Sequence, residues 1–135
     1  MIVLDASVAV KLVSMGPGHE AALERVVREV DRIAPEWILI EVANALVRKV
    51  KGDVLPSDIA MAAFAAVPDL LTELVEPLSL LDEAIRLAMW LQHPVYDCMY
   101  LALALARDAV VLTADGGLVH AAVEHGLGQH VERVR

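Results

Sequence analysis

The chain has 135 residues and a formal net charge of −8, from 19 acidic and 11 basic side chains. This balance disfavours a protein that binds nucleic acid by broad phosphate neutralisation, although it permits a nuclease whose acids gather at a metal site. The length predicts a single domain over residues 1–135, and no apolar run reaches the roughly 18 residues needed to cross a membrane.

The first predicted element is a buried strand over residues 1–4, which is followed by Asp5 and a helix. Ala109–Leu112 is a second apolar run rich in β-branched residues, and Asp115 precedes another helix in the same way. Because the carboxyl ends of parallel strands meet at one edge of a sheet, both acids are expected at a ligand-binding edge. Taken alone, Asp5 is also explained as a helix N-cap, with its own oxygen or that of Ser7 bonding the next turn.

The rest of the chain predicts further helices and three short strands. Together these elements indicate an α/β fold with a mostly parallel sheet. The predicted helices are His19–Arg32, Glu36–Lys51, Leu55–Val67, Leu81–Gln92, Pro94–Ala106 and Leu118–Glu124. The short strands are 33–35, 74–75 and 131–134.

Glu41 lies well inside its predicted helix, between Ile40 and Val42, so it cannot be an N-cap. Asn44 and Arg48 follow at spacings that place them on the same helix face. This polar stripe fits either a functional cleft or a solvated surface with a Glu–Arg contact, and the residues alone leave both open. Arg48, Lys49 and Lys51 are candidate phosphate contacts, although a basic helix end also suits the helix dipole.

Asp97 is the only charge in Pro94–Ala106, the most apolar stretch of the chain. A carboxylate beside such a helix is costly to bury unless it caps the backbone or binds a cation. Cys98 follows it and is interpreted as a core residue, and a single cysteine excludes an intrachain disulfide. Together with an N-terminus that lacks the features of a signal peptide, this predicts a cytoplasmic protein.

Four acids in separate segments, each bordered by apolar residues, form the candidate site: Asp5, Glu41, Asp97 and Asp115. Four converging carboxylates repel one another, and a divalent cation with a preference for oxygen ligands, Mg²⁺ or Mn²⁺, removes that penalty. No Cys or His cluster indicates zinc, and the later histidines are interpreted as surface residues: His93, His120, His125 and His130.

Four motifs, in this order, make the chain resemble the PIN domain family and, within it, the toxins of VapBC-type toxin–antitoxin pairs. They are Met1-Ile-Val-Leu-Asp-Ala-Ser-Val8, Glu41-Val-Ala-Asn-Ala-Leu46, Tyr96-Asp-Cys-Met-Tyr-Leu-Ala102 and Leu112-Thr-Ala-Asp115. The resemblance covers nearly the whole chain. It implies a three-layer fold in which a short, mostly parallel sheet is flanked by helices.

The resemblance also implies a metal-dependent endoribonuclease that hydrolyses RNA, dimerises and is inhibited by a cognate antitoxin in its cleft. By motif matching, its catalytic and metal-binding residues would be Asp5, Glu41, Asp97 and Asp115. Ser7, Asn44 and Thr113 match positions that line such a site. One departure is that Gly116-Gly117 follows the Thr-x-Asp motif where relatives often carry further charges, so we expect one firmly held ion.

Two other functions fit parts of the sequence. An inactive PIN-like scaffold could use its acidic cleft to bind a basic protein partner, although all four acids are retained. Phosphoryl transfer to Asp5 is disfavoured because no lysine follows Lys51 to neutralise a phosphoryl group, and Ser7 stands where a phosphatase would have its second aspartate.

Overall fold

Five parallel strands form one sheet in the computed structural model, which describes residues 1–135. The strands are β1 (Ile2–Leu4), β2 (Arg32–Pro35), β3 (Glu73–Val75), β4 (Val110–Thr113) and β5 (Val131–Arg133). Their spatial order is β3-β2-β1-β4-β5, and every neighbouring pair is parallel. The predicted α/β class with a mostly parallel sheet is therefore confirmed.

Seven helices connect and cover the strands. They are α1 (Ala6–Ser14), α2 (His19–Val26), α3 (Ile38–Lys51), α4 (Ser57–Ala66), α5 (Leu78–Leu91), α6 (Val95–Arg107) and α7 (Gly116–Glu124). Short 3₁₀ turns occupy Val67–Leu70 and Gly128–His130. No helix combines the length and the apolar character that crossing a membrane requires.

The core lies between the central strand β1 and helix α6. All residues of β1 are buried, and α6 buries seven consecutive residues from Cys98 to Ala104. Such a run leaves no polar helix face along that length, as the apolar sequence predicts. Helix α6 contacts β1, β2 and β4, and its first turn lies near the end of β4, since His93 contacts both Asp97 in that turn and Asp115.

Two predicted helix boundaries are wrong. Helix α2 ends at Val26 rather than Arg32, and Val30 is 82 % exposed, because residues from Arg32 onward pair with β1. Helix α5 begins at Leu78 rather than Leu81, with the Leu78 amide donating to Glu76 Oε1 at 2.9 Å. Asp82 and Glu83, which a helix starting at Leu81 would have in its first turn, therefore lie beyond the first turn.

A candidate metal centre at the carboxyl edge of the sheet

Asp5 is the most enclosed of the four predicted acids, with 4 % of its surface exposed. It directly follows β1 and is the N-cap of α1, so the turn from strand to helix fixes its position. Its Oδ1 accepts hydrogen bonds from Ser7 Oγ at 2.5 Å and the Val8 amide at 3.1 Å. Its Oδ2 accepts one from Thr113 Oγ1. The cap predicted as an alternative is therefore formed, and it leaves the carboxylate beside the end of β4.

Thr113 and Asp115 join the end of β4 to this network. The Asp115 amide donates to Thr113 Oγ1 at 2.9 Å, and the Ala114 amide donates to Ser7 Oγ at 2.9 Å. Asp115 caps α7 by accepting from the Gly117 amide at 2.8 Å. A Cβ at Gly117 would lie 3.1 Å from Asp115 Oδ1, so glycine allows this close approach. Asp5 and Asp115 thus occupy equivalent places, each after a strand and each as the cap of the next helix, as the sequence pattern predicts.

Glu41 reaches the site from α3 and is held by a residue far away in the sequence. The phenol of Tyr100, which is 1 % exposed on α6, donates to Glu41 Oε1 at 2.8 Å. The helical contact with Arg48 that would have explained Glu41 as a solvated residue is not among the ion pairs of the chain. Glu41 is thus tied to the interior rather than to its own helix surface.

Asp97 lies in the first turn of α6 but makes no capping bond, since Pro94 is the N-cap residue. Its Oδ2 lies 2.7 Å from His93 Nε2, which is also 3.9 Å from Asp115 Oδ2. Ligand atoms of these three side chains all lie within 4.8 Å of one another, a group that could hold a metal ion. Neither Asp5 nor Glu41 belongs to this close group.

His93 is the residue that the sequence analysis missed. Its side chain is only 14 % exposed, so the prediction of a surface residue is wrong for it. His125 and His130 are also partly buried and contact backbone carbonyls, whereas His120 is 74 % exposed. The available signal for His93 was its position four residues before Asp97, which the break between α5 and α6 obscured.

The charges of the four acids act on one another. Burial raises the pKa of Asp5 to about 6, against three hydrogen bonds that lower it, and the charge of Asp97 adds to the rise. Burial also raises the pKa of Glu41, with contributions from Asp97 and Asp5. The pKa of Asp97 is raised by burial, lowered by His93 and raised again by Asp115. The four acids therefore share one electrostatic environment.

No lysine or arginine forms an ion pair with these four acids. The ion pairs of the basic residues use other acids, and the only ion-pair partner of Asp97 and Asp115 is His93. Carboxylate oxygens are hard ligands, and an uncompensated group of them has the chemistry that Mg²⁺ or Mn²⁺ requires. The donor set therefore fits a divalent cation.

A basic cleft of about 470 Å³ opens beside the acids and includes Ser7 and Glu41 in its walls. Its cations are Lys11, Arg48 and Lys49. Lys51, which was predicted with the latter two, instead lines an apolar cleft between α3 and α4. Lys11 escaped the sequence analysis, although its spacing of four residues from Ser7 on α1 places both on one face.

Comparison with known proteins gives a family match, a curated relative and a structural neighbour. The model of the PIN domain family matches residues 2–124. Ribonuclease VapC1 of Mycobacterium tuberculosis, from strains CDC 1551 and H37Rv, is 33 % identical over 135 residues, covering 98 % of this chain and 97 % of its own. The crystal structure of PAE2754 from Pyrobaculum aerophilum has a TM-score of 0.70 at 20 % identity, covering 98 % of this chain and 90 % of its own, and supports the fold alone.

Proposed function

The chain belongs to the PIN domain family, and on that premise we propose that it is a metal-dependent endoribonuclease, the toxin of a VapBC-type pair. Its reaction would be hydrolysis of RNA phosphodiester bonds with Mg²⁺ or Mn²⁺. The name of its relative, Ribonuclease VapC1, supports the activity, and similarity over nearly the full length of both chains makes that relative informative.

The observation that carries this proposal is the set of four carboxylates without a lysine or arginine partner. They come from the ends of β1 and β4 and from helices α3 and α6, and local structure explains only Asp5 and Asp115 as caps. Burying such charges together opposes folding unless binding of a cation offsets their repulsion.

Each residue near the site has a definable role. A divalent ion, when bound, would lower the pKa of water and neutralise the negative charge that develops on the phosphate. Asp5, Asp97 and Asp115 would hold the ion. Glu41, oriented by the Tyr100 phenol, would accept the proton of the attacking water.

Ser7 and Thr113 position Asp5 through their hydrogen bonds to its two oxygens. His93 positions Asp97 and is close enough to Asp115 to join the ligand set. Lys11, Arg48 and Lys49 would attract the phosphates of the substrate, because they border the cleft that contains Ser7 and Glu41. This local basic group offsets a net charge that otherwise repels RNA.

A cognate antitoxin and a second copy of the chain are the proposed protein partners. Exposed apolar side chains support both, since they include Val47 and Met61 at the apolar cleft and Met89 on α5. The group of four acids would favour a basic side chain from the antitoxin.

The decisive experiment measures RNA cleavage by purified protein with Mg²⁺, with Mn²⁺ and with chelator. We expect Asp97→Asn to lower metal-dependent cleavage at least about 100-fold, since even residues that only support metal ligands commonly cost 10- to 100-fold. Asp82→Asn, an exposed acid on α5, is the matched control and should cleave normally. Full activity of Asp97→Asn would refute the assignment.

The inactive scaffold is the alternative function, and calorimetry separates the two. Titration of the wild-type chain with Mg²⁺ or Mn²⁺ should show binding that Asp97→Asn weakens. No binding at physiological concentrations, together with no cleavage, would favour a scaffold that binds a basic partner.

A further inference from the structure

A second cleft, of about 400 Å³, borders the metal site on a different side from the basic cleft. Its walls are Trp37, Ile40, Glu41, Asn44 and Tyr96. Glu41 is common to both clefts. Trp37, Ile40 and Asn44 line the second cleft, whereas Ala45, Arg48 and Lys49 line the basic one.

Two aromatic rings form one wall of this cleft. Trp37 and Tyr96 stack with ring centroids 5.6 Å apart and an angle of 7° between their planes. Tyr96 is 53 % exposed, so much of its surface stays open to a further ring, and it directly precedes Asp97 in α6. The buried Trp37 Nε1 has no hydrogen-bond partner, which indicates that packing and stacking hold this ring. An exposed aromatic stack next to a metal-site acid is a suitable platform for a planar ligand.

The polarity of the walls narrows the class of ligand. Glu41 is the only charged residue among the five, and no cation is present, so a phosphate would be repelled. Asn44 is exposed and carries an amide that can both donate and accept a hydrogen bond. An uncharged planar ring with a polar edge fits aromatic, aliphatic and amide walls better than a phosphate or an acidic peptide does.

We propose that this cleft binds one unstacked nucleobase of the RNA, from a nucleotide adjacent to the phosphate that is cut. The assignment rests on the proposed ribonuclease function and adds a base-binding subsite to it. The base stacks on Tyr96, the Asn44 amide contacts its edge, and the phosphates beyond lie toward Lys11, Arg48 and Lys49. Because bases in a duplex are stacked and paired, this subsite accepts only a base that is free of a duplex.

The test measures binding of fluorescently labelled single-stranded RNA of about 12 nucleotides, long enough to cover one site, by Asp5→Asn protein, which does not cleave it. The four homopolymers are compared, and abasic positions are introduced one at a time into the tightest. We expect Tyr96→Ala to weaken binding roughly 5- to 140-fold, the range for loss of one stacked base. Tyr96→Phe, which retains the ring, should bind within about twofold.

Trp90→Ala is the matched control, because Trp90 is a similarly exposed aromatic residue, at 55 %, that packs against His125 and lines neither cleft. It should bind RNA normally. One abasic position should weaken binding to protein that carries Tyr96 and have little further effect on Tyr96→Ala, because both changes remove the same stacking contact. A duplex of the same sequence should bind more weakly than the single strand.

The outcomes separate this proposal from the function on which it rests. Equal RNA binding by Asp5→Asn protein with and without Tyr96→Ala, with metal-dependent cleavage by the wild type intact, would overturn the nucleobase assignment alone. No metal-dependent cleavage of any RNA by the wild type would overturn both. Unchanged RNA affinity with a loss of dimer by light scattering, or with a loss of antitoxin binding, would instead assign the aromatic pair to a protein interface.

Discussion

Replacing Asp5 by Asn should stabilise the metal-free protein while abolishing its function. The Asp5 carboxyl is buried and its pKa is raised from 3.8 to about 6, a difference of about 2 units. At about 1.4 kcal/mol per unit, the ionised group lowers the free energy of unfolding by about 3 kcal/mol at pH 8. Asn keeps the acceptor for Ser7 and Val8 and is a good N-cap.

The bond from Thr113 is the part of the network that Asn disturbs, at a cost of about 1 kcal/mol. The net gain at pH 8 is therefore about 2 kcal/mol, which corresponds to about 4–8 °C in melting temperature for a domain of this size. An acid whose pKa is higher in the folded state than in the unfolded state stabilises the fold most below its unfolded pKa. That contribution is lost as the pH rises through about 6, so the advantage of Asn at pH 8 should vanish near pH 4.

The assay is thermal or urea unfolding in chelator at pH 4 and pH 8, repeated at pH 8 with saturating Mg²⁺ or Mn²⁺. The metal should stabilise the wild type and reverse the order of the two proteins, because the variant lacks a ligand. Asp82→Asn, an exposed substitution, controls for the loss of one negative charge. If Asp5→Asn were less stable than wild type at pH 8 in chelator, or differed from it equally at both pH values, the electrostatic reasoning would be wrong.

Three further changes test the surroundings of the site. Tyr100→Phe should lower stability by about 1–2 kcal/mol and lower metal-dependent cleavage up to about tenfold, because Glu41 loses the bond that orients it; unfolding and cleavage assays would contradict this by showing no change in either. His93→Asn should weaken Mn²⁺ binding more than Mg²⁺ binding, since imidazole is a better ligand for Mn²⁺, and equal losses, or any loss with exposed His120→Asn, would argue against ligation. Arg48→Ala should raise KM and flatten the salt dependence of cleavage with little change in kcat, and an unchanged salt dependence would place the phosphates elsewhere.

Local patterns in the sequence predict much of the fold and the identity of the acids. An apolar run followed by Asp and a helical pattern occurs at Asp5 and again at Asp115, and in both places a strand ends at a capped helix. The apolar stretch around Asp97 becomes the most buried helix for the same reason, since hydrophobic periodicity reports burial directly. The predicted end of α2 was wrong because Arg32 pairs with β1, so the chain must leave the helix before it. A local pattern does not show which strand will pair with these residues.

The sequence by itself therefore determined the order of the strands and helices and singled out four acids, because short-range periodicity encodes the elements and each acid is bordered by apolar residues. The tertiary structure alone decided how those acids are held. Tyr100 contacts Glu41 across 59 positions, and Thr113 contacts Asp5 across 108, because the strand order places β1 beside β4 and packs α6 against both. The same packing brings His93 to Asp115 after the end of β4. Contacts between distant segments depend on sheet order and helix packing, which no local pattern specifies.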